Sequence, residues 1–303
     1  MNFRNYLCSL TGTLMGAALL GSAALLGGSA AQADDALVTA LKSAKIVELN
    51  FVWDQRSPLL AFNPPFSAAL ANTHKQTKGW IPQLTFAADM MFFSGQHGAP
   101  TIDAIGHIGH DGVLFGGLSG EQSEMPSGLT ALGIETYPKE RFVNRGVLLD
   151  VAKYKNVEAL APGEEITAAD LEATAKAQKV DVRAGDSVLI RTGYGKFFGD
   201  KAKYMGLRPG PGESAARWLA DKKVFLAGDD QLTFEVYPEK GTIFPAHRIL
   251  IADNGIYIVE NMNLEELAQV LAARKDYAFS LVLNPLRLRG MTGSPLNAFA
   301  ILP

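Results

Sequence analysis

PAHRILIADNGIYIVENMNLEEL, Pro245 to Leu267, places a helix, a strand and a second helix in immediate succession. His247 to Ala252 is expected to be helical, and Asn254-Gly255 stops it in the usual way, because both residues tolerate the left-handed backbone that ends a helix. Ile256 to Val259 is a short unbroken apolar run and reads as a buried strand. Asn263 to Ala273 follows as a helix, with Asn-x-x-Glu at its start. Glu260 ends the apolar strand. An unpaired buried charge is expensive there, so the carboxylate either meets a partner or turns out to solvent or to the next helix.

The same alternation runs outward along the chain. Upstream, Ile46 to Trp53, Phe86 to Phe93, Arg145 to Val151, Asp186 to Arg191 and Val224 to Ala227 read as strands, with Phe86 to Phe93 expected to be buried. Downstream, Phe279 to Leu283 and Phe299 to Leu302 are the last two. Asp35 to Lys45, Thr167 to Gln178 and Glu213 to Lys222 read as helices, and Thr167-x-x-Asp170 has the spacing of an N-terminal cap. Pro58, Pro64 and Pro65 make Pro58 to Phe66 a loop. Helices are fewer than a doubly wound sheet needs. No Gly-x-Gly-x-x-Gly follows a strand and no phosphate-binding loop motif occurs, so a nucleotide cofactor is not indicated. The pattern alone gives a mixed α/β single domain.

The ends and the composition bound the setting. Arg4 is the only charged residue before Asp34, and an Ala/Leu/Gly-rich run from Leu14 to Gly28 leads to Ala31-Gln32-Ala33. A positive start, an apolar stretch and a small-x-small site predict a signal peptide, residues 1–33, cleaved after Ala33. Residues 34–303 then form the mature domain, periplasmic or secreted, with no membrane association after cleavage. The net charge of −3 and the lack of a basic block argue against a nucleic-acid partner. The one cysteine, Cys8, lies inside the signal. A mature chain without thiols has no cysteine nucleophile, thiolate metal site or disulfide.

Three of the five histidines, His97, His107 and His110, fall in QHGAPTIDAIGHIGHDG, Gln96 to Gly112, together with Asp103 and Asp111. Histidine is the commonest metal ligand and titrates nearest neutrality. If Asp103 opens a helix, His107 at i+4 shares its face. On spacing alone the cluster is equally compatible with ordinary loop chemistry.

Two segments together resemble the bacterial cyclase family, whose motif is His-x-Gly-Thr-His-x-Asp-x-Pro-x-His, followed downstream by a His-x-x-Leu-Leu segment and Gly-Ile-x-x-x-Glu-Asn. The first reads here His97-Gly98-Ala99-Pro100-Thr101-Ile102-Asp103-Ala104-Ile105-Gly106-His107, and the second His247-Arg248-Ile249-Leu250 and Gly255 to Asn261. RGVLLDVA, IRTGYG and TGSP extend the likeness to most of the chain from about residue 46. The resemblance implies a swivelling β/β/α, cyclase-like single domain of the α/β class. It also implies metal ligands His97, Asp103, His247 and Glu260, a general base and acid at His107, Zn²⁺ or Mn²⁺ as cofactor, and a homodimer or higher homo-oligomer. The implied activity is hydrolysis of an amide or cyclic imide, lactam or ester bond in a small molecule, as in arylformamidases and isatin hydrolases. Trp53 and Phe66, with Phe92 or Phe93, are candidate walls of an aromatic substrate pocket. His110 is expected in solvent or behind the ligands. The sequence departs from the motif at Thr101, where the family has a second histidine ligand. That leaves open a non-catalytic, exported small-molecule-binding protein on the same fold.

Overall fold

The computed structural model describes residues 27–239, 241 and 243–303, so residues 1–26 of the expected signal segment lie outside the described residues. The chain divides into two compact units. The first ends at Ala44 and includes Pro303; its described element is helix α1, Gly27–Ser43. This helix starts earlier than the expected Asp35, as Ala30, Ala31 and Ala33 are strong helix formers. No described helix is long and apolar enough to cross a membrane.

The second unit, Lys45–Leu302, is built on one large sheet. Its strands are β1 (Lys45–Glu48), β2 (Thr101–Asp103), β3 (Val143–Asp150), β4 (Ser187–Arg191), β5 (Leu226–Asp229), β6 (Tyr257–Glu260), β7 (Ala278–Pro285) and β8 (Gly293–Leu302). They lie in the order β1-β8-β7-β3-β4-β5-β6-β2, and β2 also pairs with β8. That second pairing closes seven strands into a barrel and leaves β1 outside on β8. The strands β3, β4, β5 and β6 run parallel, and the remaining pairs are antiparallel. The parallel crossovers carry helices α2 (Ala168–Gln178) and α3 (Glu213–Asp221) and the helical segment before β6, which opens with α4 (Pro245–His247) and continues as a π-helical turn, Arg248–Asp253. Helix α5 (Glu265–Arg274) follows β6.

Both faces of the parallel strands are buried, which is why they read as continuous apolar runs rather than alternating ones. Leu148, Leu189, Leu226 and Val259 share one core with Ile102, Leu281, Ala298 and Leu267. Their neighbours Val147, Leu149, Val188, Ile190, Ala227 and Ile258 form the other core against Leu171, Ala215, Leu219 and Leu250 of the helical layer. At the strand ends, Arg191 donates Nη1–H to Asp150 at 2.8 Å and grips both carboxylate oxygens of Glu265 at 2.9 Å. The forked, charge-assisted geometry ties β3, β4 and the start of α5 together.

The helix caps follow the sequence in part. Thr167 and Asp170 form a reciprocal capping box on α2. On α5 no side chain caps the helix; Leu264 holds that place. The expected buried strand at Phe86 to Phe93 is instead Ala88–Phe92, half of a separate hairpin with Ser67–Asn72, and Leu70, Met90, Met91 and Phe92 are exposed on it. Apolar composition predicted burial, but among the described residues this pair has no third strand and stands off the barrel.

The closing strand is only three residues long, so its hold depends on Ile102, which is fully buried in the barrel core between Val259 and Ser294. Ile102→Ala should therefore cost about 2–5 kcal/mol of stability, measured by urea unfolding. Because Asp103 is the next residue, divalent-ion binding should weaken in the same variant even where it remains folded.

Candidate metal centre

Strand β2 sets the site. Thr101 pairs with Glu260 across β6, and Ile102 with Val259. Side chains alternate along a strand, so Ile102 and Val259 enter the barrel core while Thr101, Asp103 and Glu260 share the opposite face. His247 arrives from the helical layer. Pro245 occupies the first turn of α4, where its missing N–H is harmless. The His247 backbone N–H donates to Glu235 Oε1 at 2.7 Å, and Nδ1 lies 2.7 Å from both oxygens of the same carboxylate.

With Nδ1–H held by Glu235, the His247 Nε2 is left facing two carboxylates, 3.4 Å from Asp103 Oδ2 and 3.3 Å from Glu260 Oε1. Asp103, His247 and Glu260 are all buried, and one ligand atom of each lies within 4.8 Å of the others. All four oxygens of Asp103 and Glu260 are buried without a hydrogen-bond partner. Three acceptors converging with no donor among them need a cation. A divalent ion satisfies this donor set, and so does a proton on His247. Burial disfavours the charged imidazole, yet Glu235, Asp103 and Glu260 outweigh it and hold His247 well above its ordinary pKa.

His97 adjoins the trio. Its Nδ1 is 3.0 Å from Glu260 Oε2 and donates to the Leu232 carbonyl at 3.0 Å. Burial lowers its affinity for a proton, but the Glu260 and Asp103 charges raise it more. In turn the His97 and His247 charges overcome burial at Glu260 and push its carboxyl down to about 2. The loop carrying His97 is strained, with φ 60° at His97 and 89° at Gly98. A side chain at Gly98 would sit 2.5 Å from Trp53 Nε1, so glycine is required there. Thr101 explains how the loop is fixed: its Oγ1 accepts the buried His97 backbone N–H at 3.1 Å. In this structure the threonine anchors the backbone of His97 beside the metal-binding trio.

Asp103 ends a strand and does not open a helix, because β2 is committed to pairing on both sides. His107 still reaches it, since the turn closed by His107 N–H donating to the Ala104 carbonyl at 2.9 Å swings the ring back. Its Nε2 lies 4.0 Å from Asp103 Oδ1 with the side chain 28% exposed. Burial lowers the His107 pKa, and Asp103 only partly offsets that. His110 is on the surface, 2.9 Å from Asp253, and His74 bonds Thr85 on the exposed hairpin side.

His97, Asp103, His107, His247 and Glu260 all open on one cavity of about 460 Å³. Its apolar wall is Leu60, Phe62, Ile108 and Phe244, and its polar wall is Asn63, Ser94, Gln96 and Thr233. Trp53 and Phe66 stack on each other at 5.3 Å and line a recess of about 40 Å³ that shares Pro64, Ser94 and His97 with this cavity. Phe93 packs on Trp53 at 5.6 Å. Sequence reasoning missed Glu235, Phe62 and Phe244. Glu235 had a visible signal, a lone carboxylate in the apolar run LTFEV, of the same kind that singled out Glu260.

Two substitutions probe the supports of the site. Thr101→Val is close in shape and leaves the buried His97 N–H without an acceptor; a loss of about 1–3 kcal/mol in thermal or urea unfolding is expected. Glu235→Gln keeps the fold but lets the His247 ring turn, and divalent-ion affinity measured by calorimetry should fall roughly 10–100-fold.

Known proteins share this fold. The family model described as putative cyclase matches residues 47–236. The isatin hydrolase of Roseibium aggregatum is 26% identical over 86% of this chain and 92% of its own length. A crystal structure described as a novel cyclase superposes with TM-score 0.78 at 29% identity, covering 88% of this chain and 89% of that one. An isatin hydrolase bound to the product analogue thioisatinate gives TM-score 0.69 at 21% identity, over 92% and 99% of the two chains, a likeness of fold. His247 and Glu260 lie beyond the matched segment, yet the fold returns them to Asp103. The chain belongs to the cyclase family.

Proposed function

We propose that this chain is an exported, metal-dependent hydrolase of an amide, cyclic amide or ester bond, acting on a small molecule. The observation that carries this reading is the trio Asp103, His247 and Glu260, two buried carboxylates and one imidazole converging on a cavity of about 460 Å³. A related isatin hydrolase supports cleavage of a C–N bond. Asp103, His247 and Glu260 would hold the ion, with His97 beside them. Two carboxylates to one imidazole suit Mn²⁺ or Zn²⁺. When bound, such an ion supplies Lewis-acid chemistry, acidifying water and polarising an acyl oxygen.

The chain's own groups do the rest. His107, held largely neutral by burial, accepts a proton from the attacking water at a ring nitrogen. The water oxygen bonds to the acyl carbon, the C–N bond breaks, and the leaving nitrogen takes the proton back from His107. Asp103, 4.0 Å away, stabilises the transient imidazolium. Glu235 fixes the tautomer of His247 so that Nε2 faces inward. The exposed Leu70, Met90, Met91 and Phe92 support a homo-oligomer, because an apolar patch of that kind is unusual on a monomer.

The deciding experiment is metal analysis of the purified protein together with assays on N-formylkynurenine and isatin. Asp103→Ala should abolish both metal binding and turnover. His107→Ala should keep full metal content and lose about 10²–10⁴-fold in kcat. A metal-free, folded and inactive wild type would instead favour the non-catalytic binding protein. Export has its own check: the intact mass of secreted protein should correspond to a chain beginning at Asp34, and a mass that includes Cys8 would contradict it.

A further inference from the structure

Arg208 carries a positive charge into the interior, and among the described residues its hydrogen bonds run to neutral groups. The side chain is buried. Its Nη1 donates to the Met205 and Gly206 carbonyls at 2.9 and 3.0 Å, and its Nη2 to Thr233 Oγ1 at 3.0 Å. The guanidinium also lies 4.6 Å from the centre of the Tyr237 ring. A neutral donor would serve two carbonyls as well, and a buried charge is expensive. The third bond has a consequence on its other side. Thr233 is buried, and it lines the cavity together with Asp103, His107, His247 and Glu260. A hydroxyl holds one proton, and a guanidinium that donates into its oxygen turns that proton away from itself. The same bond draws electron density from the oxygen and makes the O–H a stronger donor. Thr233 is also held in place. Its N–H donates to Gln231 Oε1 at 3.0 Å, and its carbonyl accepts the Glu235 N–H at 2.6 Å. A β-branched side chain on a fixed backbone has little torsional freedom.

We infer that Thr233 is a catalytic residue whose hydroxyl donates a hydrogen bond to the acyl oxygen of the substrate, with Arg208 as the positioning residue that polarises it. This rests on the hydrolase reading. As the water oxygen bonds to the acyl carbon and His107 takes the water proton, the carbonyl π pair moves onto the acyl oxygen and gives it negative charge. The Thr233 proton stays on Oγ1, and its hydrogen bond to the charged oxygen strengthens. When the C–N bond breaks, the pair returns to the carbonyl, and the leaving nitrogen takes the proton held by His107. A fixed, polarised donor favours the charged stage over the neutral ground state, so it acts on kcat more than on KM. Leu232, next to Thr233, offers its carbonyl to His97 Nδ1 at 3.0 Å. One short segment thus aims the donor and steadies the histidine beside the ligands.

The test pairs formanilide with thioformanilide, which differ only in the acyl oxygen or sulfur, the sulfur being the weaker hydrogen-bond acceptor. On the metal-loaded full chain, Thr233→Val should lower kcat for formanilide about 30–100-fold and leave KM within about threefold. The loss on thioformanilide should stay below about fivefold, so that the oxygen-over-sulfur rate ratio narrows by about tenfold. Thr233→Ser returns the hydroxyl and should recover about tenfold or more of the loss. Should the valine variant fail to fold, Thr233→Cys takes its place, since a thiol of similar size is a weak donor, and it should narrow the ratio in the same way. Equal losses on both substrates mean that Thr233 only supports the structure and overturn the inference, as does an unchanged kcat. If the wild type hydrolyses neither probe, the hydrolase reading fails on these bonds, and dissociation constants decide the donor by themselves. The wild type should then bind formanilide about threefold to tenfold tighter than thioformanilide, a preference that Thr233→Val removes. No binding, no preference, or a preference that survives the substitution overturns the inference.

Discussion

Two carboxylates in a protein interior cannot both stay ionised without a cation, and the arrangement of this domain follows from that constraint. Asp103 and Glu260 are almost fully buried, and the groups that approach their oxygens are ring nitrogens of His97, His107 and His247. Burying an isolated carboxylate is prohibitive, so the charge must be paired or the group protonated. The surrounding residues favour pairing. His97 and His247 bring ring nitrogens to within about 3 Å of Glu260 and hold its carboxyl ionised. Glu235 fixes His247 from behind, so a single inward-facing nitrogen completes the set.

Barrel closure delivers these groups from distant parts of the sequence. Strand β2 is inserted between β6 and β8, and its register puts Thr101 opposite Glu260 and Asp103 opposite Gly293. The two-residue period then separates functions across one short strand. Ile102 anchors the barrel core, while its neighbours share the opposite face, where Asp103 lines the cavity and Thr101 holds the His97 loop. A one-residue slip would exchange the two faces, placing an isoleucine among the ligands and carboxylates in the core. Closing pairs on both sides, including the Ala104 N–H to the Thr292 carbonyl at 2.9 Å, make that slip costly.

Much of this was legible in the sequence where local and global signals agree. VFLA and IYIV read as strands because a parallel strand buried on both faces is apolar throughout. Thr167 to Asp170 read as a helix start because its capping box is purely local. The site was legible through residues whose chemistry clashes with their context, above all Glu260 at the end of an apolar strand. Other features depend on tertiary partners that no local pattern reveals. Asp103 looked compatible with a helix start, yet pairing on two sides made it a strand end. The Phe- and Met-rich segment at Ala88–Phe92 looked like core and is exposed. Trp53 and Phe66 stack on each other and line a small recess that they share with His97, next to the larger cavity.

Measured against the motif this loop resembles, which has a histidine here, Thr101 orders the loop rather than offering a ligand nitrogen. An imidazole at this position would stand opposite Glu260, within reach of an ion held by the trio. The threonine gives up that nitrogen and provides an acceptor for the His97 N–H, at a place where the backbone sits at positive φ and has few ways to satisfy its donor. The donor set thereby shifts toward oxygen, with two carboxylates against the one imidazole of His247. A harder ion suits that set better than it would suit a histidine-rich one. The Glu235 bond offsets part of the loss, since a carboxylate behind the ring makes the remaining nitrogen a stronger base and holds its orientation. At position 101 the side chain thus serves loop order, and Glu235 holds the imidazole that faces the two carboxylates.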